Sequence, residues 1–272
     1  MAEPKNPGRA GGGHPEAGAL PEEARRALQD ARARLERTTL ADRLLDGLGR
    51  PLERGLARLP DRAKRLVEAG TYKSLETALR LALGTLPEPA ASDSRDGLHQ
   101  AAVALTGASG FFGLAALPFE LPITTGLMLR SIADIARSYG EDLRDPGARL
   151  ACLEVFALRG GGGQDAPVGY FGVRTVLSRT LREAALYLAS GGAAEAEAPI
   201  LVKLIAQIAE RFGLSVSERA AATAVPIVGA VGGAAVNFVF LRHFQELAHG
   251  HFTVRRLERA YGEAAVKAAY ES

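Results

Sequence analysis

The chain has 272 residues, of which 24% are charged and 47% are hydrophobic, so it can bury a substantial globular core. Its formal net charge of +2 is too small for the concentrated basic face that nucleic-acid binding requires, which argues against a nucleic-acid partner. The single cysteine excludes an internal disulfide framework and is compatible with a reducing compartment. We interpret that residue, Cys152, as a buried small hydrophobe.

Residues 1–20 are rich in Gly, Pro and Ala, and they are predicted to form a disordered tail. They lack the apolar run that directs export, so the expected location is the cytoplasm, peripheral at the inner face of the membrane. Residues 21–272 are predicted to form a single helical domain.

The first half of that domain shows helical patterns. Glu22 and Glu23 follow Pro21, and acidic residues favour the start of a helix. Apolar residues at helical spacing follow, at Ala24, Leu28, Ala31 and Leu35. Three further helices are predicted at Leu40–Leu48, Pro60–Ala69 and Ser74–Leu83.

The second half continues in the same way. Asp145 and Pro146 predict a helix start, because proline suits the first turn, and this helix is expected to reach the glycine run at 160–163. No sustained period-two alternation is present, so we predict an all-α multi-helix bundle of about ten helices. Its later helices are Tyr170–Ser190, Pro199–Phe212 (stopped by Gly213) and Ser215–Ala224 (capped by Ser215 or Ser217).

Two Gly/Ala-rich apolar segments, Ala101–Phe119 and Ala220–Leu241, carry no charge. As helices they would be about 28–33 Å long, close to the thickness of a bilayer core. Alanine and glycine transfer weakly into lipid, however, and no tryptophan is available to anchor an interface. Gly229 and Gly233 stand four residues apart, which allows a partner helix to approach closely. Buried central helices, shallow insertion and true spans therefore all remain open.

Histidines and carboxylates near these segments are candidates for chemistry. His243, Glu246 and His249 lie three residues apart, so a helix would place them within a roughly 120° arc. Imidazoles and a carboxylate suit zinc or iron, although this spacing matches no established ligand motif. Alternatively, the imidazoles form structural hydrogen bonds. The candidate polar cluster is Glu120, Arg130, Asp134, Asn237, His243, Glu246, His249 and His251.

Glu120 is an isolated carboxylate in an apolar stretch, so it needs a partner or a raised pKa. A buried ion pair with an arginine such as Arg130 is one interpretation, and a proton-handling acid is the other. Further along the chain, arginines are expected to bind lipid phosphate or to pair with Glu246, Glu258 and Glu263 on a solvated face. These arginines are Arg242, Arg255, Arg256 and Arg259.

Three blocks of sequence, at 107–125, 129–143 and 226–258, resemble the EcsC protein family of bacteria, and the similarity extends over roughly residues 40–270. That family takes its name from a protein encoded beside an ABC transporter. The resemblance implies membrane association. It implies no reaction, because the biochemical activity of the family is not established. A link to a transporter would be through a partner, because the chain carries no ATPase part.

The leading functional expectation is a non-enzymatic, membrane-associated accessory protein without a cofactor, with a membrane lipid or membrane protein as its partner. One alternative is a metal-dependent enzyme that uses zinc or iron at His243, Glu246 and His249. Another is a soluble structural domain that oligomerises through its glycine faces.

Overall fold

A computed structural model describes residues 20–36, 40, 61–84, 117–158, 169–192, 198–223 and 233–272. These residues form eight α-helices and one 3-10 turn and contain no strand, which confirms the all-α prediction. The helices are α1 (Glu22–Glu36), α2 (Asp61–Leu83), α3 (Leu117–Ser138), α4 (Pro146–Glu154), α5 (Tyr170–Ala189), α6 (Pro199–Thr223), α7 (Gly233–Tyr261) and α8 (Glu263–Glu271). The predicted tail and most of the predicted helix at Leu40–Leu48 lie outside the described residues.

Several predicted helix ends are confirmed by their local chemistry. The Asp145 side chain accepts a hydrogen bond from the Ala148 amide at 3.2 Å and so caps the start of α4. Pro146 is the first residue of this helix, as expected. Gly191 follows α5 with φ +83°, a left-handed conformation that favours glycine. The expected extension of α4 to the glycine run is wrong, because a 3-10 turn at Val155–Ala157 tightens the chain and ends the helix.

The predicted helices Pro60–Ala69 and Ser74–Leu83 are one continuous helix, α2. Ser74 does not open a helix but lies inside one, where its hydroxyl donates to the Gly70 carbonyl. Val67, Leu75 and Ala78 are buried along this helix. The continuous apolar face therefore outweighs the local preference of serine for a cap.

The same correction applies to α6, which continues through Gly213 instead of stopping there. Ser217 donates its hydroxyl to the Gly213 carbonyl at 2.8 Å, so it is a mid-helix residue and not a cap. Phe212 and Val216 are fully buried one turn apart on either side of the glycine. Their packing holds the helix together across a residue that weakens it. These two mergers account for part of the difference between about ten predicted helices and the eight observed.

Helices α3 and α7 run parallel. Asn237 near the start of α7 contacts Glu120 near the start of α3, and His249 further along α7 contacts Tyr139 just beyond the end of α3. Arg219, near the end of α6, contacts Asn237, so α6 approaches this point from the opposite direction. One end of the bundle thus collects the last turn of α6 and the first turns of α3 and α7.

A group of packed aromatic rings fills the core between α6, α7 and the 3-10 turn. Phe156 and Phe212 pack in a tilted arrangement with ring centroids 5.0 Å apart, and Phe240 and Phe244 pack edge to face at 5.3 Å. Beside them, Cys152 is fully buried, and burial raises the pKa of its thiol to about 12. The interpretation of this cysteine as a buried hydrophobe is confirmed.

The described parts of the two apolar segments lie at the ends of helices. Residues 117–119 open α3, while residues 101–116 lie outside the described part of the chain. Residues 220–223 close α6 and residues 233–241 open α7, so the ends of the second segment belong to two helices. None of the helices within the described ranges is long and apolar enough to cross a membrane.

Candidate functional site

Three polar side chains from three helices form a buried cluster where α6 ends and α3 and α7 begin. Arg219 donates from Nη2 to Glu120 Oε1 at 2.5 Å and from Nε to Asn237 Oδ1 at 2.8 Å. Asn237 donates from Nδ2 to the same glutamate oxygen at 2.9 Å. The arginine and the asparagine are each 2% exposed. The cluster therefore ties together three helix ends that are distant in sequence.

The charges of this cluster cancel. Burial lowers the pKa of Arg219, and the adjacent Glu120 carboxylate opposes that shift. The guanidinium also lies over the Phe240 ring, 5.3 Å from its centroid. A buried ion pair for Glu120 is confirmed, but its partner is Arg219 and not Arg130. Arg130 is exposed, and it lies ten residues or about 15 Å further along the same helix.

Apart from the buried Glu218 next to Arg219, the helix turns around this cluster are otherwise uncharged. We call residues 117–129, 220–223 and 233–241 the uncharged end, because Glu120 is their single charged residue and Arg219 neutralises it. On α3, the Phe119 side chain is 76% exposed and the Ile123 side chain 59% exposed, one turn apart. Contiguous exposed apolar side chains can mark an interaction surface, and these two side chains, one turn apart beside a neutralised charge, are the candidates for one here.

A second buried cluster joins α4, α5 and α7. His251 is fully buried, and its Nδ1 shares a hydrogen bond with the Tyr170 hydroxyl at 3.0 Å. Its Nε2 lies 3.7 Å from Glu154 Oε2, which is beyond hydrogen-bonding distance. The Tyr170 ring also packs against Tyr270 of α8, with centroids 5.5 Å apart. The sequence marked His251 as a candidate, and the structure gives it two partners that the sequence did not suggest.

Burial shifts the pKa values of Glu154 and His251 in the directions that favour their neutral forms. It raises the pKa of Glu154 and lowers the pKa of His251 well below its ordinary value, with Arg174 and Arg255 adding to the effect on the histidine. At the 3.7 Å approach, both shifts therefore oppose the charged forms that an ion pair would need. Since the histidine is 0% exposed, we assign this group a structural role.

Most of the charged residues predicted on α7 are held in ion pairs. Arg255 donates to both Glu141 oxygens, at 2.8 and 3.0 Å, and Arg259 donates to the same carboxylate. Glu258 receives two hydrogen bonds from Arg174, at 2.6 and 3.0 Å. The predicted pairing of Arg255 and Arg259 with Glu246, Glu258 and Glu263 is therefore wrong. Both arginines pair instead with Glu141, in the turn after α3, because α3 and α7 run side by side.

The remaining candidate arginines are solvent-exposed. Arg256 lies over the Tyr139 ring at 5.4 Å, near the end of α7, and Arg242 lies near its start. Because 14 residues separate them, they are about 21 Å apart along the helix. The prediction that lipid phosphate binds the whole arginine group stays a prediction, and only Arg242 lies near the uncharged end.

His243, Glu246 and His249 are on one helix but have different surroundings. His243 is fully buried edge-on to Phe244, and Glu246 is paired with Arg34 of α1. His249 Nδ1 lies 3.2 Å from the Tyr139 hydroxyl. Within the described ranges, no three His, Cys, Asp or Glu side chains are grouped so that they could hold a metal ion. The metal prediction therefore gains no support from this part of the chain.

Asp134 accepts a hydrogen bond from Arg137 at 2.8 Å on the partly exposed side of α3 and does not join either buried cluster.

Arg219 is the residue that sequence reasoning missed at the first cluster. It follows Glu218 and precedes four uncharged small residues, so a charged pair at the edge of an apolar run was the available signal. Other residues missed are Glu141, Glu154, Tyr170 and Arg174.

Comparison with known proteins gives one match. The model of the EcsC protein family matches residues 20–257, which is most of the chain. No curated protein and no solved structure was found to match the chain.

Proposed function

The chain belongs to the EcsC protein family, and from that premise we propose that it is a non-enzymatic accessory protein that attaches to a membrane surface by its uncharged end. The observation that carries the proposal is the exposure of Phe119 and Ile123 beside a charge-neutral cluster. A partner within the membrane, such as a transporter, and a position on the cytoplasmic face belong to the same proposal.

The surroundings of these side chains support a lipid contact. Residues 101–116, which directly precede α3 in the sequence, and residues 224–232, which lie between α6 and α7 in the sequence, also carry no charge. Glu120, the one acidic group here, makes a charge-paired contact with Arg219 and a hydrogen bond with Asn237, so it does not bring an unpaired charge toward lipid. Apolar helix faces of this kind lie about 5–10 Å deep in the interfacial region of a bilayer.

The expected strength of attachment is modest. Full burial of a phenylalanine or isoleucine side chain contributes about 1.5–3 kcal/mol, so Phe119 and Ile123 together contribute about 3–6 kcal/mol. That range corresponds to dissociation constants from roughly tens of micromolar to millimolar. The proposal is therefore reversible, peripheral attachment, which additional contacts would strengthen.

Replacing Phe119 and Ile123 with glutamate is expected to abolish flotation of the full-length protein with vesicles that contain phosphatidylglycerol. Both side chains are exposed, so the substitutions should leave folding intact while placing two carboxylates on the attachment surface. The measurement is the fraction of protein that floats with vesicles in a density gradient at low salt.

Val176→Glu with Leu186→Glu is the matched control. These residues are 53% and 64% exposed on α5, so this variant makes the same chemical change elsewhere on the surface. It should float like the wild type. Equal loss in both variants, or a wild type that does not float, would refute the proposed attachment.

A further inference from the structure

The exposed charges that border the uncharged end are arginines. On α3 the first charged residue after Glu120 is Arg130, and on α7 the first charged residue is Arg242. Both side chains are exposed. Along α6, the nearest charged residue outside the cluster is Glu218, which is only 7% exposed, and the next ones are Arg211 and Glu210, which have opposite signs. The border of this surface therefore carries positive charge on the two parallel helices.

The two arginines lie on the same side of the buried cluster along the parallel helices. Measured from the Glu120–Asn237 contact, Arg130 lies ten residues or about 15 Å along α3, and Arg242 lies five residues or about 8 Å along α7. With the starts of these helices in the interface, both arginines border the apolar surface on its headgroup side, and their long side chains can extend toward the lipid phosphates.

The two parts of α3 share one face. At 100° per residue, Phe119, Ile123 and Arg130 fall within about 40° of one another around the helix. At Gly126 between them, Leu81 of α2 approaches so closely that an added Cβ would lie 3.0 Å from its Cδ1. The apolar part therefore ends where α2 packs, and Arg130 emerges beyond that contact.

We propose that the partner of the uncharged end is an anionic phospholipid surface, with Arg130 and Arg242 binding the lipid phosphates. This inference depends on the proposed membrane attachment and adds its lipid selectivity. Arginine suits the role because its planar guanidinium binds phosphate through two parallel hydrogen bonds. Arg255 and Arg259 do not contribute, because Glu141 already binds both.

The test compares the full-length protein with Arg130→Gln/Arg242→Gln, using phosphatidylcholine vesicles with and without phosphatidylglycerol. Neutralising both arginines is expected to weaken binding to the anionic vesicles about 30-fold and to leave binding to pure phosphatidylcholine unchanged. Added salt should weaken the binding of the wild type to anionic vesicles more than the binding of the variant. Salt screens the attraction between arginine and lipid phosphate, and the variant no longer has that attraction.

Arg182→Gln/Arg256→Gln is the matched control, because it removes two exposed arginines from α5 and the far end of α7. It should bind anionic vesicles like the wild type. If both arginine variants lose affinity equally, or neither does, the assignment of Arg130 and Arg242 is wrong. The proposed attachment would then still stand if Phe119→Glu/Ile123→Glu alone abolished flotation, and both ideas would fail if the wild type bound neither vesicle.

Discussion

Replacing Arg219 with methionine is expected to lower the free energy of unfolding by about 3–5 kcal/mol, because it leaves the Glu120 carboxylate without its cation in a largely buried position. The hydrogen bond to Asn237 Oδ1 is lost as well. Urea denaturation followed by circular dichroism gives the change directly. A substantial effect is expected because the cluster joins α3, α6 and α7 at one point.

The double variant Glu120→Gln/Arg219→Met separates the charge from the packing. Glutamine still accepts the hydrogen bond from Asn237, and no charge remains buried, so most of the lost stability should return. If Arg219→Met cost less than about 1 kcal/mol, or if the double variant were no better than the single one, the ion pair would not be what holds these helix ends together.

Gly250→Ala is expected to destabilise the protein by about 1–2 kcal/mol, although alanine favours helices by about 1 kcal/mol over glycine. Gly250 lies inside α7 where α1 crosses it. A Cβ atom there would lie 2.7 Å from Leu35 Cγ and 3.1 Å from the Ala31 carbonyl oxygen. The backbone of α1 would have to move, and thermal unfolding should report the loss.

Gly213→Ala is the matched control, with the opposite sign. Gly213 also lies inside a helix, α6, but an added Cβ would meet only the Thr71 methyl group, at 3.9 Å. Alanine should therefore raise the free energy of unfolding by about 0.5–1 kcal/mol. Two substitutions that shifted stability in the same direction would contradict the close packing of α1 on α7.

Local patterns predicted the fold class and several helix ends correctly. The apolar spacing of α1 corresponds to its buried residues, and the Asp145–Pro146 pair caps α4 as expected. The same local reasoning divided α2 at Ser74 and α6 at Gly213, because it gave each residue its intrinsic preference. In the folded protein, buried neighbours on the same face outweigh a preference worth about 1 kcal/mol or less.

The contacts of the candidate site could not be predicted in the same way. An isolated carboxylate at Glu120 indicated a missing partner, but Arg219 is 99 residues away and reaches it only because α6 ends beside the start of α3. The Tyr170–His251 contact spans 81 residues, and Glu141–Arg255 spans 114. Such pairs depend on how helices pack, and single-sequence periodicity carries no information about it.

The arrangement of α7 also separates two features that are close in sequence. The glycine-rich segment and the arginine group follow one another closely along the chain. A helix of 29 residues instead places Asn237 at one end of the bundle and Arg259 about 33 Å away. The membrane proposal therefore depends on the exposed apolar residues at the start of α3 and not on the later arginines.

The most direct test of this account is a fluorophore placed on the uncharged end. The native Cys152 is buried and its thiol pKa is raised to about 12, so a cysteine introduced at Ile123 can be labelled selectively. With an environment-sensitive dye at this position, adding phosphatidylglycerol vesicles should shift the emission to the blue. The same dye at Leu186 should not respond. Emission at Ile123 that stayed unchanged at vesicle concentrations where the protein floats, or an equal shift at Leu186, would contradict attachment through this end.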